Sequence, residues 1–263
     1  MAVIDVDTHW ETGEFAPGEH PLEPWLDRFP SDGVERLAHG IAGDRQWAVV
    51  DRRTGLALTA RRQPELLLAT AAVAGNDVRI TLPGGTVVHD DGDLSDWLGH
   101  PVALERASEA RAGRYETPLD PEREDGEWIA WQGPTGSFHD SKRTQLSLVS
   151  TATMRDWDVR RFRPNVVLEG DGEDALVGSV IALGSTRLDV VKHIDRCIVV
   201  ARPQPGLEAD LDVLRTINRE RATFLGVGAL VAVGGSIAVG DEVRSSAGGF
   251  GGLPGVVAGA GER

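Results

Sequence analysis

From Gly40 onwards the chain is a succession of short apolar runs cut by turn residues, and no feature constrains its fold more. Runs of this length read as strands rather than as helices of a bundle. Gln46 to Asp51 and Leu56 to Ala60 flank Arg53-Thr54-Gly55 and predict a hairpin. Val78 to Leu82 stands between Asn76-Asp77 and Pro83-Gly84-Gly85. Gln145 to Val149, Asn165 to Leu168, Val177 to Leu183 and Leu188 to Val191 follow as strands, with Gly170, Gly172 and Gly184 at turns. His193 to Val200 is strand-like, and Leu230 to Val233 pairs with Ser236 to Val239 across Gly234-Gly235.

Helical signals are few. Pro64 opens a short helix over Glu65 to Ala72, Leu94 to Leu98 forms a turn, and Ser150 caps a short helix running through Met154 towards Trp157. Leu211, Leu214 and Ile217 recur three apart within Glu208 to Phe224, predicting a helix with one core-facing stripe. The expected class is α+β, predominantly β. Residues 106–136 are polar and read as an exposed linker or long loop, part of which docks through Trp128 and Trp131. The stretch after Val243 is Gly-rich and expected to be flexible.

Charge narrows the function classes. With 27 Lys plus Arg against 41 Asp plus Glu, the net charge of -14 repels nucleic acid and anionic membrane surfaces. A single cysteine rules out an internal disulfide and is too few for an iron-sulfur cluster held within the chain. The opening residues have no basic-then-apolar leader, and no uninterrupted apolar segment is long enough to span a bilayer. The expectation is a soluble, cytoplasmic protein. There is no GxxxxGK[ST] phosphate loop, no GxGxxG between strand and helix, and no GxSxG elbow.

The candidate chemistry lies in two places. Cys197 follows Arg196, whose positive charge, if the two side chains are near each other, helps keep it a thiolate, a soft metal ligand; the alternative is a small buried hydrophobe. Arg161-Phe162-Arg163-Pro164-Asn165, if extended, presents Arg161 and Arg163 on one face as two forks for an anion, beside the donor and acceptor of Asn165; the alternative is a solvated basic run. Arg45 after Gly43-Asp44 is a further anion candidate or a surface arginine. Asp140-Ser141 suits a ligand contact or a turn equally. At the N-terminus, the run Ala2 to Val6 leads into Asp7-Thr8-His9, which resembles the opening metal-binding strand of amidohydrolase barrels; the further ligands and the eight βα repeats of such a barrel are not evident.

Taken in order, Gly43-Asp44-Arg45-Gln46-Trp47, Thr59-Ala60-Arg61-Arg62-Gln63-Pro64, Asp140-Ser141, Arg161 to Asn165, Arg196-Cys197 and Val239 to Val243 resemble the MOSC domain family with its N-terminal β-barrel-like domain. The resemblance implies a MOSC-type β-barrel with a few peripheral helices. It divides the chain into a leader over 1–36, the N-terminal domain over 37–120, the MOSC domain over 121–245 and a tail over 246–263. It also implies molybdenum cofactor (molybdopterin) binding, as in amidoxime-reducing members. Cys197 is then the molybdenum ligand and the catalytic residue, with Arg45, Arg163 and Asn165 as cofactor anchors and Asp140 and Ser141 at the same pocket. Partners would be a small N-hydroxylated substrate and a separate electron-donor protein. Family members usually open with a strand like Tyr-Pro-Val-Lys-Ser, whose lysine and serine also hold the cofactor; nothing before Gly40 reproduces it.

Overall fold

The computed structural model describes residues 1–6, 40–74, 77–120, 123–141 and 143–245. Asp7-Thr8-His9, most of the expected leader and the tail over 246–263 lie outside the described residues.

Thirteen strands order the described chain. In the first half β2 (Trp47–Asp51) pairs with β5 (Val102–Arg106), β3 (Thr70–Ala74) with β4 (Asp77–Thr81), and β6 (Arg114–Pro118) with β7 (Trp128–Gln132), all antiparallel. The second half adds β8 (Leu146–Ser150), β9 (Val166–Leu168), β10 (Val180–Leu183), β11 (Thr186–Asp195), β12 (Phe224–Val233) and β13 (Arg244–Ser245). Together with β1 (Val3–Val6) they form one sheet in the order β1-β9-β8-β12-β11-β10-β13, in which only β8 and β9 run parallel. Ala2 bridges Glu242, and the Val243 amide donates to the Met1 carbonyl at 2.8 Å, so the sheet curls and its two edges approach. A strand therefore does stand at the N-terminal edge, supplied by Val3–Val6 against β9.

The alternation within these strands builds two cores. Leu146, Leu148, Val166, Leu168, Ile181 and Leu188 point inside the curled sheet, and all are at most 1% exposed. Val149, Val167 and Leu225 point to the other face, where they meet Phe162, Val213 and Ile217. Burying each large side chain contributes about 1.5–3 kcal/mol. The helix on that outer face is α3 (Leu211–Arg221), which buries Val213 and Ile217, whereas Leu211 is 49% exposed at its first turn. The apolar stripe thus runs through Val213 and Ile217, one step round from the expected Leu211.

Ser150 Oγ accepts from the Thr153 amide at 3.2 Å and caps α2 (Thr151–Met154), as its position implied. The remaining α-helix among the described residues, α1 (Asp91–Leu98), is capped by Asp90 and packs Leu94 and Leu98 against Val102 and Ile80.

Several expectations are corrected. The expected hairpin of Gln46 to Asp51 with Leu56 to Ala60 forms but is short: Val50 bridges Ala57, the Asp51 amide donates to the Leu56 carbonyl at 3.0 Å and the Leu58 amide to the Val49 carbonyl at 2.8 Å, while β5 pairs along the full length of β2. The helix expected over Glu65 to Ala72 is a single 3-10 turn, Pro64–Leu68, leading into β3. The linker over 106–136 contains the hairpin of β6 and β7, held by Tyr115 stacked on Trp131 with ring centroids 4.9 Å apart. Trp128 docks beneath the Arg62 guanidinium at 4.8 Å. The pairing across Gly234-Gly235 is replaced by one long β12; Ser236 instead crosses the β10–β11 turn, donating to Ser185 Oγ at 2.8 Å.

Candidate functional site

The turn at 40–45 brings the first half of the chain onto the curled sheet. Gly40 has φ 104, and a Cβ there would meet the Gln145 carbonyl and the His139 ring at 3.0 Å, so the turn needs glycine to sit this close to the start of β8. Arg45 follows with φ 55, and Arg163 has φ 48. Left-handed backbone costs a non-glycine residue about 1–2 kcal/mol, a strain that clusters at working sites.

Polar bonds join three of the candidate residues. Arg45 Nη1 donates to Asp140 Oδ1 at 3.0 Å, and its Nε lies 3.9 Å from Asp44 Oδ1. Asn165 Nδ2 donates to Asp44 Oδ2 at 3.0 Å, while Asn165 Oδ1 accepts from the Ser147 amide and Oγ, each at 3.0 Å. Asp44 is thus the link between Arg45 and Asn165, and between the two halves of the chain. The Asp140 charge, first among the causes, raises Arg45 above the usual guanidinium range. Partial loss of hydration pushes Asp140 up, but the charge and hydrogen bond of Arg45 outweigh it and hold the carboxyl below the usual range. Tyr115, beside this pair, is pushed above the ordinary phenol range by burial and then by the Asp140 charge.

Beside this network a cavity of about 310 Å³ opens between the halves, lined by Asp44, Arg45, Arg160, Arg163 and Gln204 and by apolar side chains of the first half. The basic run is not extended. Val159–Arg161 is a 3-10 turn that buries Arg161, whose Nη2 donates to the Glu208 carbonyl at 2.8 Å, so Arg161 cannot form a second fork beside Arg163. Arg160 takes that place on the cavity wall, fixed by Asp158 and by the Pro205 carbonyl at 2.9 Å. Ser141 Oγ accepts from the Arg143 amide at 3.1 Å and closes a local turn.

Cys197 follows the end of β11. It is a half-buried free thiol, the residue before the 3-10 turn Ile198–Ala201 rather than part of a strand. Arg196 reaches inward, with Nε on the Leu225 carbonyl at 2.9 Å and Nη1 on the Phe162 carbonyl at 2.8 Å; its Nη2 has no hydrogen-bond partner among the described residues. Gly226, φ 79, admits this arginine: a Cβ there would meet the Leu148 carbonyl at 2.7 Å and Arg196 Nη2 at 3.4 Å. Burial pushes Arg196 down to about 10, and the neighbouring Cys197 charge pulls it back up. The structure therefore ties Arg45, Asp140 and Asn165 into one network and puts Arg163 on the adjoining cavity. Cys197 is not among that cavity's lining residues.

Sequence reasoning passed over Asp44 as a site residue and did not single out Gln204, Arg160 or Glu124. Glu124 receives Arg202 Nη2 at 2.7 Å and Arg61 Nε at 3.2 Å, clamping the two halves together. Only Asp44 carried a signal, its place beside Arg45. Among the described residues no cluster of three or more His, Cys, Asp or Glu side chains could hold a metal ion. None of their helices is long and apolar enough to cross a membrane.

Residues 134–244 match the family model of the MOSC domain, and residues 31–95 match that of the MOSC N-terminal beta barrel domain. A solved structure described as an hypothetical protein is similar at 12% identity, covering 44% of this chain and 63% of its own, with a TM-score of 0.33. The structure of YiiM from Geobacillus stearothermophilus is similar at 15% identity, covering 52% of this chain and 74% of its own, with a TM-score of 0.34. No curated protein matches.

Proposed function

Because this chain belongs to the MOSC domain family, with the MOSC domain behind the family's N-terminal β-barrel domain, we propose that it binds a molybdenum cofactor and works as an oxidoreductase. Cys197 is the molybdenum ligand in this reading, Arg45, Arg163 and Asn165 anchor the pterin and its phosphate, and Asp140 and Ser141 border them. The observation that carries it is Arg196: a half-buried arginine, one of whose guanidinium nitrogens is buried with no hydrogen-bond partner among the described residues, adjacent in sequence to the chain's single thiol. The thiolate is the form of cysteine that binds metals. The donor set also fits the organic part, since arginine forks and an amide suit a phosphate and a pterin edge.

When bound, the group would supply two-electron chemistry that converts an N-hydroxylated compound, two electrons and two protons into the amine-level product and water. The chain's own residues orient and hold. Asp44 and Asn165 fix Arg45, and Ser147 fixes Asn165. With one cysteine in the chain, the electrons come from a separate donor protein.

A second reading is a sulfur- or cofactor-carrier protein using a Cys197 persulfide, or a non-catalytic member of the family. The absence of Cys197 from the cavity lining favours it. Protein made in a cofactor-producing host separates the readings. Extractable pterin that falls severalfold in Arg163→Ala, together with reductase activity given a donor, supports the oxidoreductase. Cyanide-releasable sulfur without reductase activity supports the carrier, and no pterin at all leaves the non-catalytic member.

A further inference from the structure

Gln204 shares the wall of the cavity with Arg45 and Arg163, and it carries a donor that the protein does not answer. The residue is 8% exposed, and its Nε2 has no hydrogen-bond partner among the described residues. A buried amide left unpaired is costly, and native proteins rarely leave one so.

The loop that presents Gln204 is braced on both sides. The Gln204 amide donates to the Leu207 carbonyl at 2.9 Å, and the Leu207 amide donates to the Gln204 carbonyl at 2.8 Å. Two residues earlier, Arg202 Nη1 donates to the Arg61 carbonyl at 2.9 Å and Nη2 to Glu124 at 2.7 Å. One residue later, the Pro205 carbonyl accepts from Arg160 Nη1 at 2.9 Å. The 3-10 turn Ile198–Ala201 joins this loop directly to Cys197, so one short stretch carries both the thiol and the unanswered amide.

The lining divides by chemistry. Arg45, Arg160 and Arg163 present guanidinium groups, which suit a phosphate. Val49, Leu66, Ile80 and Trp97 give an apolar wall that suits the faces of a flat ring. Gln204 is neutral and offers an N–H, which suits a carbonyl oxygen or ring nitrogen at the edge of a heterocycle.

Resting on the cofactor reading above, we propose that Gln204 is a further cofactor-binding residue, whose Nε2 donates to an acceptor on the pterin edge while the arginines take the phosphate.

Gln204→Leu tests this in two preparations of the full chain. In protein from a cofactor-producing host, the pterin released per chain falls severalfold relative to the parent. In protein from a host that makes no cofactor, the variant unfolds at the same urea concentration as the parent or a higher one, because the substitution removes a polar group that nothing answers without the ligand. Equal pterin in parent and variant overturns the proposal and leaves the cofactor reading standing, since water then answers the amide. A lower unfolding midpoint in the cofactor-free protein also overturns it, because Gln204 then holds the loop rather than a ligand. Absence of pterin from the parent sinks the cofactor reading itself, and this proposal falls with it.

Discussion

Arg45 and Arg196 solve opposite problems in charge. Arg45 is half-exposed and answered by two carboxylates, Asp140 at 3.0 Å and Asp44 at 3.9 Å. Arg196 has carbonyls at 2.8 and 2.9 Å, the Phe162 ring 5.6 Å from its guanidinium carbon, and one nitrogen with no partner among the described residues. The first arrangement is complete by itself, so it holds the two halves of the chain in place with or without a ligand. The second leaves positive charge in a poorly hydrated place, and burial of that kind is costly unless negative charge stands near. Cys197 is the neighbour whose ionised form pulls Arg196 back up. The lesson is that ion pairing marks where this molecule is braced, and its absence marks where chemistry has room.

The contrast breaks most visibly at Arg196. Arg196→Leu leaves the Leu225 and Phe162 carbonyls without their donor and lowers stability by about 2–4 kcal/mol in urea unfolding. No loss of stability would mean that neither carbonyl depends on this arginine. Next comes Asn165→Ala, which frees Asp44 and the Ser147 hydroxyl and costs about 2 kcal/mol by the same measurement. A cost near zero would mean that Arg45 is held without that link.

Asp140→Asn has the smallest effect, under about 1 kcal/mol at neutral pH, since the pair with Arg45 is partly exposed. Its pH dependence has a definite sign. The folded Asp140 carboxyl ionises below its unfolded value, so its stabilisation is present above about pH 4 and is lost as the pH falls through the folded value. The stability gap between parent and Asp140→Asn therefore closes in acid, and a gap that persists there contradicts the pairing.

The strands of the second half could be read from particular side chains. Leu146 and Leu148 facing one core with Val149 facing the other is the period of two that placed β8, and Ser150 marked the helix after it. β12 was hidden at its start because Gly226 and Gly228 interrupt the apolar pattern that Leu225, Val227 and Ala229 carry. The hairpin of β6 and β7 was hidden by its polar outer face, and what holds it, Tyr115 on Trp131, joins residues far apart in sequence. At the candidate site, Arg45, Asp140 and Asn165 were singled out individually, but their linkage through Asp44 depends on the fold of the 40–45 turn. Arg161 misled because alternate positions share a face only in an extended segment, and Pro164 follows a 3-10 turn here. Gln204 had no local signal: it matters only through the wall it completes.

Molybdenum per chain, measured by elemental analysis on parent and Cys197→Ala protein purified from the same cofactor-producing host, tests the account most directly. The parent is expected to retain molybdenum, and Cys197→Ala to lose most of it while keeping its fold. Equal molybdenum in the two proteins would contradict the assignment of Cys197 as the ligand.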